Sequence, residues 1–477
     1  MFSFLLVPKT PKPNSSPHFP SLSPTPYLHS PHTLLSRAHC PSISDAHGDD
    51  PADAAAALLE RGADPREPPR LHAYMLRRRL LRAPFHWNAL VRSYVRRGSP
   101  RAALRAFALM SRAGAAPDSY SLPLALKAAA LVPAPLGATR QLHAASIKRG
   151  LDRSEYCESG LVSAYAKRGD FDSALQMFDE NPERKLGSWN AIVSALSQGG
   201  RVEEAIDMFI GLRRSGFAPD NVTMVSVASA CGGVGDLTLA EQVHACALKC
   251  ARAGGRLEPT LSNAVLGMYA KCGRTDLARR VFARIPRRDV SSWTAMISGL
   301  AAHGEACAAL ALFRAMAQRR EGPLPNRATM VAALTACAHG GMVEEGMELL
   351  QKMEEGEIAV EPTVAHYGCV VDMLGRVGRL EEARGVAERR MPMPANAVVW
   401  GTLLGACEKH GDVAIGQWAA EKLLEAEPWN DGVYVVLSNI YAGAGMWGEA
   451  ERARRLMRER KVAKTPGYSS AVLFSSA

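Results

Sequence analysis

Two short stretches hold residues of the types that bind metal ions. His303-Gly304-Glu305 is an H-x-E triplet, in which the histidine can hold zinc while the glutamate moves protons for a metal-bound water. "HACALKC" brings His244, Cys246 and Cys250 close together in sequence. Neither stretch completes a site. Zinc chemistry of the H-x-E kind also needs a C-x-x-C pair, and no two of the ten cysteines are three positions apart. Cys246 and Cys250 lie one helical turn apart, but a site there would need a fourth ligand and better facing geometry. No Walker A segment, G-x-G-x-x-G or Ser-His-Asp pattern is present. No catalytic, metal or cofactor site is therefore expected, and the chain reads as a binding protein rather than an enzyme.

The composition narrows what it could bind. The 477 residues are 47% hydrophobic but only 6% aromatic, which favours helices over sheets. Mean hydropathy is −0.09, and no uncharged apolar run approaches the ~18 residues of a membrane span. Lys and Arg number 57 against 47 Asp and Glu, a net charge of +10, which suits a polyanionic partner such as RNA, DNA or an acidic membrane. Most cysteines sit beside Ala in apolar helical stretches, as small buried residues of a reducing compartment do. Residues 1–44 differ: nine Ser, nine Pro, three basic residues and no acid before Asp45. Such a segment cannot pack a core, and it is similar to an organellar transit peptide.

The elements that carry everything else are announced by a ladder of glycines. An apolar helical stretch, a Gly and a second helical stretch recur at Gly98, Gly169, Gly200, Gly235, Gly273, Gly304, Gly341, Gly378, Gly411 and Gly445, with Ala134 filling one rung. Successive intervals are 36, 35, 31, then 35, 38, 31, then 37, 37, 33 and 34. Three units of different length alternate, so the phrase around Trp87, Trp189, Trp293 and Trp400 returns at every third unit. Gly304 is a rung, which puts His303 and Glu305 in a turn. In one unit Trp189, Ile192, Val193 and Leu196 form a helical stripe; Ala205, Ile206, Met208, Phe209 and Leu212 form the next. A hairpin of two such helices cannot bury both faces alone. Stacking completes the core, so the expected fold is all-α, an α-solenoid superhelix of stacked helical hairpins with a long groove.

The wording of the units resembles the plant pentatricopeptide repeat family, in its class with alternating P, L and S repeats. "WNAIVSALSQGGRVEEAIDMFIGLRRSGFAPD" resembles a P repeat, "VTMVSVASACGGVGDLTLAEQVHACALK" an L repeat and "NAVLGMYAKCGRTDLARRVFARIPRRD" an S repeat. The resemblance parses as 84–118, 119–154, 155–185, 186–220, 221–258, 259–289, 290–326, 327–363 and 364–396, in P-L-S order. Residues 397–466 are similar to the two E motifs that close many members, 467–477 form a short tail, and 45–83 are a linker or a degraded repeat.

The resemblance implies single-stranded RNA binding, about one base per repeat read by two or three side chains. It places the reading at the fifth and last residues of a repeat. The pairs are Asn88 with Asp118, Asn190 with Asp220 and Asn263 with Asp289, which resemble pyrimidine readers, and Thr294 with Asn326, which resembles an adenine reader. Ser159 with Lys185 departs from the pattern; Pro123, Val225, Val331 and Gly368 carry no reading group. The target that the resemblance implies, read 5′ to 3′ along the repeats in order, is Y-n-n-Y-n-Y-A-n-n. Each pair also has a local reading, since Asn is a common helix N-cap and Asp after Pro a common turn residue. The E motifs imply that the RNA is an organellar transcript edited from C to U, mitochondrial or else plastid, and that a deaminase-bearing protein and other editing factors act in trans. The competing expectations are a splicing or stability factor and a tetratricopeptide-like protein scaffold.

Overall fold

The structure, a computed structural model, describes residues 50–61, 67–132, 137–250, 257–318 and 322–464. The segment 1–44 and the Ala134 rung lie outside them. Among the described residues there are twenty-four α-helices and no strand. The first helices of the hairpins are α1 (Pro51–Arg61), α3 (Pro84–Arg96), α5 (Ser121–Leu131), α7 (Glu155–Ala166), α9 (Leu186–Gln198), α11 (Asn221–Val234), α13 (Pro259–Lys271), α15 (Val290–Ala302), α17 (Arg327–Gly340), α19 (Val364–Arg376), α21 (Ala397–His410) and α23 (Asp431–Gly443). Their partners are α2 (Glu67–Arg77), α4 (Pro100–Arg112), α6 (Gly137–Lys148), α8 (Phe171–Asp179), α10 (Val202–Arg214), α12 (Leu237–Cys250), α14 (Thr275–Arg284), α16 (Ala306–Ala317), α18 (Val343–Glu354), α20 (Leu380–Gly385), α22 (Val413–Ala426) and α24 (Trp447–Glu459). A π-turn, Val386–Arg390, continues α20.

One hairpin shows why these residues fold so. In α9 Trp189, Ile192, Val193 and Leu196 are buried; in α10 Ala205, Phe209 and Leu212 are. Glu203 and Glu204 open α10 and Arg213 and Arg214 close it, each complementing the helix dipole. Gly200 lies between with φ +75° and open space where a Cβ would sit, so backbone conformation, not crowding, demands glycine there. The nine other glycine rungs also have positive φ.

Substantial contacts run only between helices near in sequence, as in a solenoid. First helices pack closely on one another along the whole stack, whereas second helices barely meet. The stack therefore curves with the first helices on its inner side, which makes their N-terminal turns the wall of the groove. Before the first P-like unit, α1 and α2 pack so that Leu59, Leu71 and Met75 share a core with Trp87 and Leu90 of α3.

Candidate nucleic-acid interface

The Asn and Asp residues singled out above meet across the junctions between hairpins. Asn190 Nδ2 donates to both carboxylate oxygens of Asp220, each at 3.1 Å. Thr223 Oγ1 lies 2.5 Å from Asn190 Oδ1 and 2.9 Å from Asp220 Oδ1, and its one proton is shared between them. Asp220 is also the N-cap of α11, accepting from the Thr223 amide at 2.8 Å. Asn88, Asp118 and Ser121 repeat the network, with Asn88 Nδ2 at 3.2 and 3.3 Å from the carboxylate and Ser121 Oγ at 2.7 Å from Asn88 Oδ1. Asn263, Asp289 and Ser292 repeat it again, at 3.1 and 2.7 Å.

This geometry divides the two local readings. Asp220 and Asp289 do act as helix N-caps, and Asp118 accepts from the Ser121 amide at the start of α5. The asparagines do not: Asn190 lies inside α9, one residue after buried Trp189. A carboxylate only accepts hydrogen bonds, so it fixes which way each amide faces. One Nδ2–H and one lone pair of Oδ1 are left over, a donor and an acceptor side by side. That is the pattern a Watson–Crick edge requires.

Two of these carboxylates, Asp118 and Asp289, are held charged. Burial by itself raises the Asp118 carboxyl, but hydrogen bonds from Ser121, Asn88 and the Tyr120 amide together bring it below its ordinary value. Asp289 shows the same balance, with burial opposed by Ser292 and Asn263.

The remaining positions differ in instructive ways. Thr294 makes no hydrogen bond to Asn326. Its Oγ1 lies 2.7 Å from Thr329 Oγ1, which lies 3.0 Å from Asn326 Oδ1. Ser159 turns its hydroxyl back onto Glu155 O at 2.7 Å, and Lys185 does not cap α9 with its side chain. At that junction Glu158, 1% exposed, takes the place of the amide. Its Oε2 accepts from Asn181 Nδ2 at 2.6 Å and Ser188 Oγ at 2.7 Å, while Oε1 is buried without a partner among the described residues. A buried acid where the neighbouring units carry Leu122 and Trp189 was visible in the sequence, but nothing local marked its partners.

Recurrent tryptophans steady the wall. Trp189 packs edge-on with Phe178 at 4.6 Å, with Arg184 4.7 Å from the Phe178 ring centre, and Trp293, Phe282 and Arg288 repeat the arrangement. Sequence reasoning missed a second row. Phe85, Tyr120, Tyr156 and Val222, each three residues before a fifth position, are 55–57% exposed. Tyr120 and Tyr156 stand 5.5 Å apart and only 31° from parallel. Aromatic rings in such a row offer faces on which bases stack. An exposed aromatic at a fixed offset from the fifth residue was the signal.

The metal-like stretches have other employment. His303 Nε2 lies 2.6 Å from Ala270 O, and Glu305 pairs with Arg279. His244 Nδ1 lies 3.0 Å from the Tyr269 hydroxyl. Among the described residues no group of three or more His, Cys, Asp and Glu could hold a metal.

Comparisons with known proteins agree with this architecture. The PPR repeat model matches residues 85–114, 159–180, 187–217, 261–290, 291–320 and 329–358, and the E motif model matches 410–471. A mitochondrial pentatricopeptide repeat-containing protein of Arabidopsis thaliana is 48% identical over 84% of this chain and 85% of its own length. A chloroplastic/mitochondrial one from the same plant is 36% identical over 81% of this chain, which spans 61% of that relative. Among solved structures, PPR10 in complex with an 18-nt psaJ RNA element superposes with a TM-score of 0.63 at 17% identity, over 87% of this chain and 62% of that one. The chain belongs to the pentatricopeptide repeat family, and its alternating units and E motif are those of the PLS class.

Proposed function

We propose that the chain is a sequence-specific single-stranded RNA-binding factor of a plant organelle, which marks a cytidine for C-to-U editing and recruits a deaminase in trans through its E motifs. The observation that carries this reading is the Asn–Asp–hydroxyl network, built three times at the same place on the inner helices. A structural role alone would need the cap, which Asp supplies; it would not need an oriented amide facing the groove. In this reading Asn88, Asn190 and Asn263 receive pyrimidines and Thr294 with Asn326 receives adenine. Phe85, Tyr120 and Tyr156 stack bases between them. The positive charge adds phosphate attraction that weakens with salt.

The E motif region offers a surface for a second protein. Trp429 and Trp447 are about 70% exposed near the end of the stack. Exposed aromatics of this size suit partner contacts. The names of the relatives support an organelle, with the mitochondrion ahead of the plastid.

Binding to an RNA carrying Y-n-n-Y-n-Y-A-n-n, against one with adenine and pyrimidines exchanged, tests the reading. A preference for the first is expected; equal binding would leave only a scaffold. Transcript sequencing of plants lacking the protein tests the editing role. Loss of conversion at one or a few sites preceded by the pattern is expected. Unchanged editing, with altered introns or transcript ends, would move the role to splicing or stability.

A further inference from the structure

The chain's positive charge is not spread along it. Residues 68–117 hold eleven arginines and no Lys, Asp or Glu, so this one segment exceeds the net +10 of the whole protein. The remainder is close to balanced. A groove that attracted phosphates evenly would not be charged in this way.

Four of these arginines, Arg77, Arg78, Arg79 and Arg82, sit in or beside the connection from α2 to α3, and all are exposed. Arg77 Nε donates to Ala73 O and Arg82 Nε to Arg79 O, each at 3.2 Å. No carboxylate pairs with Arg78 or Arg79 among the described residues. The connection is firmly held. Leu80 is buried, its amide donates to Met75 O at 2.9 Å, and Trp87 Nε1 donates to Leu81 O at 3.1 Å.

The backbone adds an independent observation. Arg79 is left-handed, φ +53°. The same turn closes α4, α6 and α10, where the amide after the left-handed residue reaches five residues back: Ala115 to Met110 O, Leu151 to Ser146 O, Phe217 to Leu212 O. There the left-handed residues are Gly114, Gly150 and Gly216. Only at α2 does arginine stand in this series, in a conformation that costs an L side chain strain. One other described turn of this series keeps the strain, at Lys461 after α24, where the Val462 amide reaches Met457 O. Elsewhere glycine relieves it, so a strained arginine retained at α2 is consistent with a use for its side chain.

Resting on the RNA-binding reading above, we infer that Arg78, Arg79 and Arg82 grip the phosphates of nucleotides lying 5′ to the base received by Asn88. The connection enters α3 at Pro84, directly before Phe85 and Asn88, so RNA leaving the first reading position passes this turn. The grip is blind to sequence. It anchors the strand at the entrance, while the reading junctions beyond it set the register. Guanidinium groups suit this task because their planar donors match phosphate oxygens.

The test measures binding of the full chain to the core pattern RNA, alone or with a short 5′ or 3′ extension, over a range of salt. The 5′ extension should tighten binding and steepen the salt slope by about two, the single-strand value for three phosphates. The 3′ extension should do neither. Arg78→Gln with Arg79→Gln and Arg82→Gln should erase the 5′ gain and leave core RNA binding intact. Arg79→Gly separates grip from fold: it should raise the melting temperature while lowering the 5′ gain. Lys461→Gly, at the other left-handed non-glycine, should raise the melting temperature and leave RNA binding unchanged. An inert 5′ extension on a chain that binds core RNA would overturn the grip alone. Failure to bind core RNA would overturn the grip and the RNA reading together. An inert extension with arginine-dependent binding to anionic phospholipid vesicles would reassign the turn to a membrane.

Discussion

Where α3, α9 and α13 meet the following hairpin, an asparagine reaches a carboxylate and a hydroxyl beside the groove. Where α2, α6 and α12 meet the following hairpin, a histidine on the outer helix reaches a tyrosine instead. His72, His143 and His244 place Nδ1 at 3.1, 2.9 and 3.0 Å from the hydroxyls of Tyr94, Tyr165 and Tyr269. Both devices tie one hairpin to the next with polar groups. They differ in what remains. The amide keeps a donor and an acceptor to spare, half-exposed at Asn190 and Asn263 and more enclosed at Asn88, which is 6% exposed. The half-buried histidine and tyrosine face each other, and burial lowers each His and raises each Tyr pKa. One kind of junction can do work on a partner; the other holds the stack.

The sharpest way to break the distinction is to spoil a reading junction without removing its amide. Thr223 is fully buried, and its hydroxyl serves both Asn190 and Asp220. Thr223→Val should cost about 1–3 kcal/mol in thermal melts, the price of unmet buried partners. It should also flatten the pyrimidine preference at that one RNA position. Lost stability with intact preference would mean that the amide reads without being oriented.

Transplanting the network comes next in size. Thr294→Asn with Asn326→Asp would rebuild the amide–carboxylate pair beside Thr329. Preference at that position should shift from adenine to a pyrimidine, by an amount on the order of 1–3 kcal/mol. Competition between matched RNAs measures it.

The two junction types also predict two acid windows. A histidine whose folded pKa is lowered is protonated more readily when unfolded. Its stabilising contribution is complete above the unfolded value, about 6.5, and is lost as pH falls from there through the folded value. His244→Phe should therefore reduce the fall in melting temperature below about pH 6.5. Asp118 and Asp289 also have lowered folded values. Their contribution is present above the unfolded value of about 3.9 and is lost as pH falls through the folded one. Asp289→Asn should shrink only this lower step, and by less, because Asp289 is exposed. A single acid transition, unchanged by either substitution, would remove the distinction.

Local signals carried much of this protein in its sequence. The glycine ladder marked the turns because positive φ is a demand of one residue on its own backbone. The apolar stripes marked helices because their spacing is set within a few residues. Together these gave the hairpins, and with them the places where Asn88, Asn190, Asn263 and Thr294 fall. What the side chains do there was decided by stacking. Asn190 and Asp220 are thirty residues apart, and only the approach of α9 to α11 supplies Thr223 as the third member. Glu158 gained Ser188 and Asn181 the same way, and Phe85, Tyr120 and Tyr156 became one row only once their helices lay side by side. The strain at Arg79 needed the folded turn to be visible at all, because its cost lies in a dihedral angle and not in a residue type.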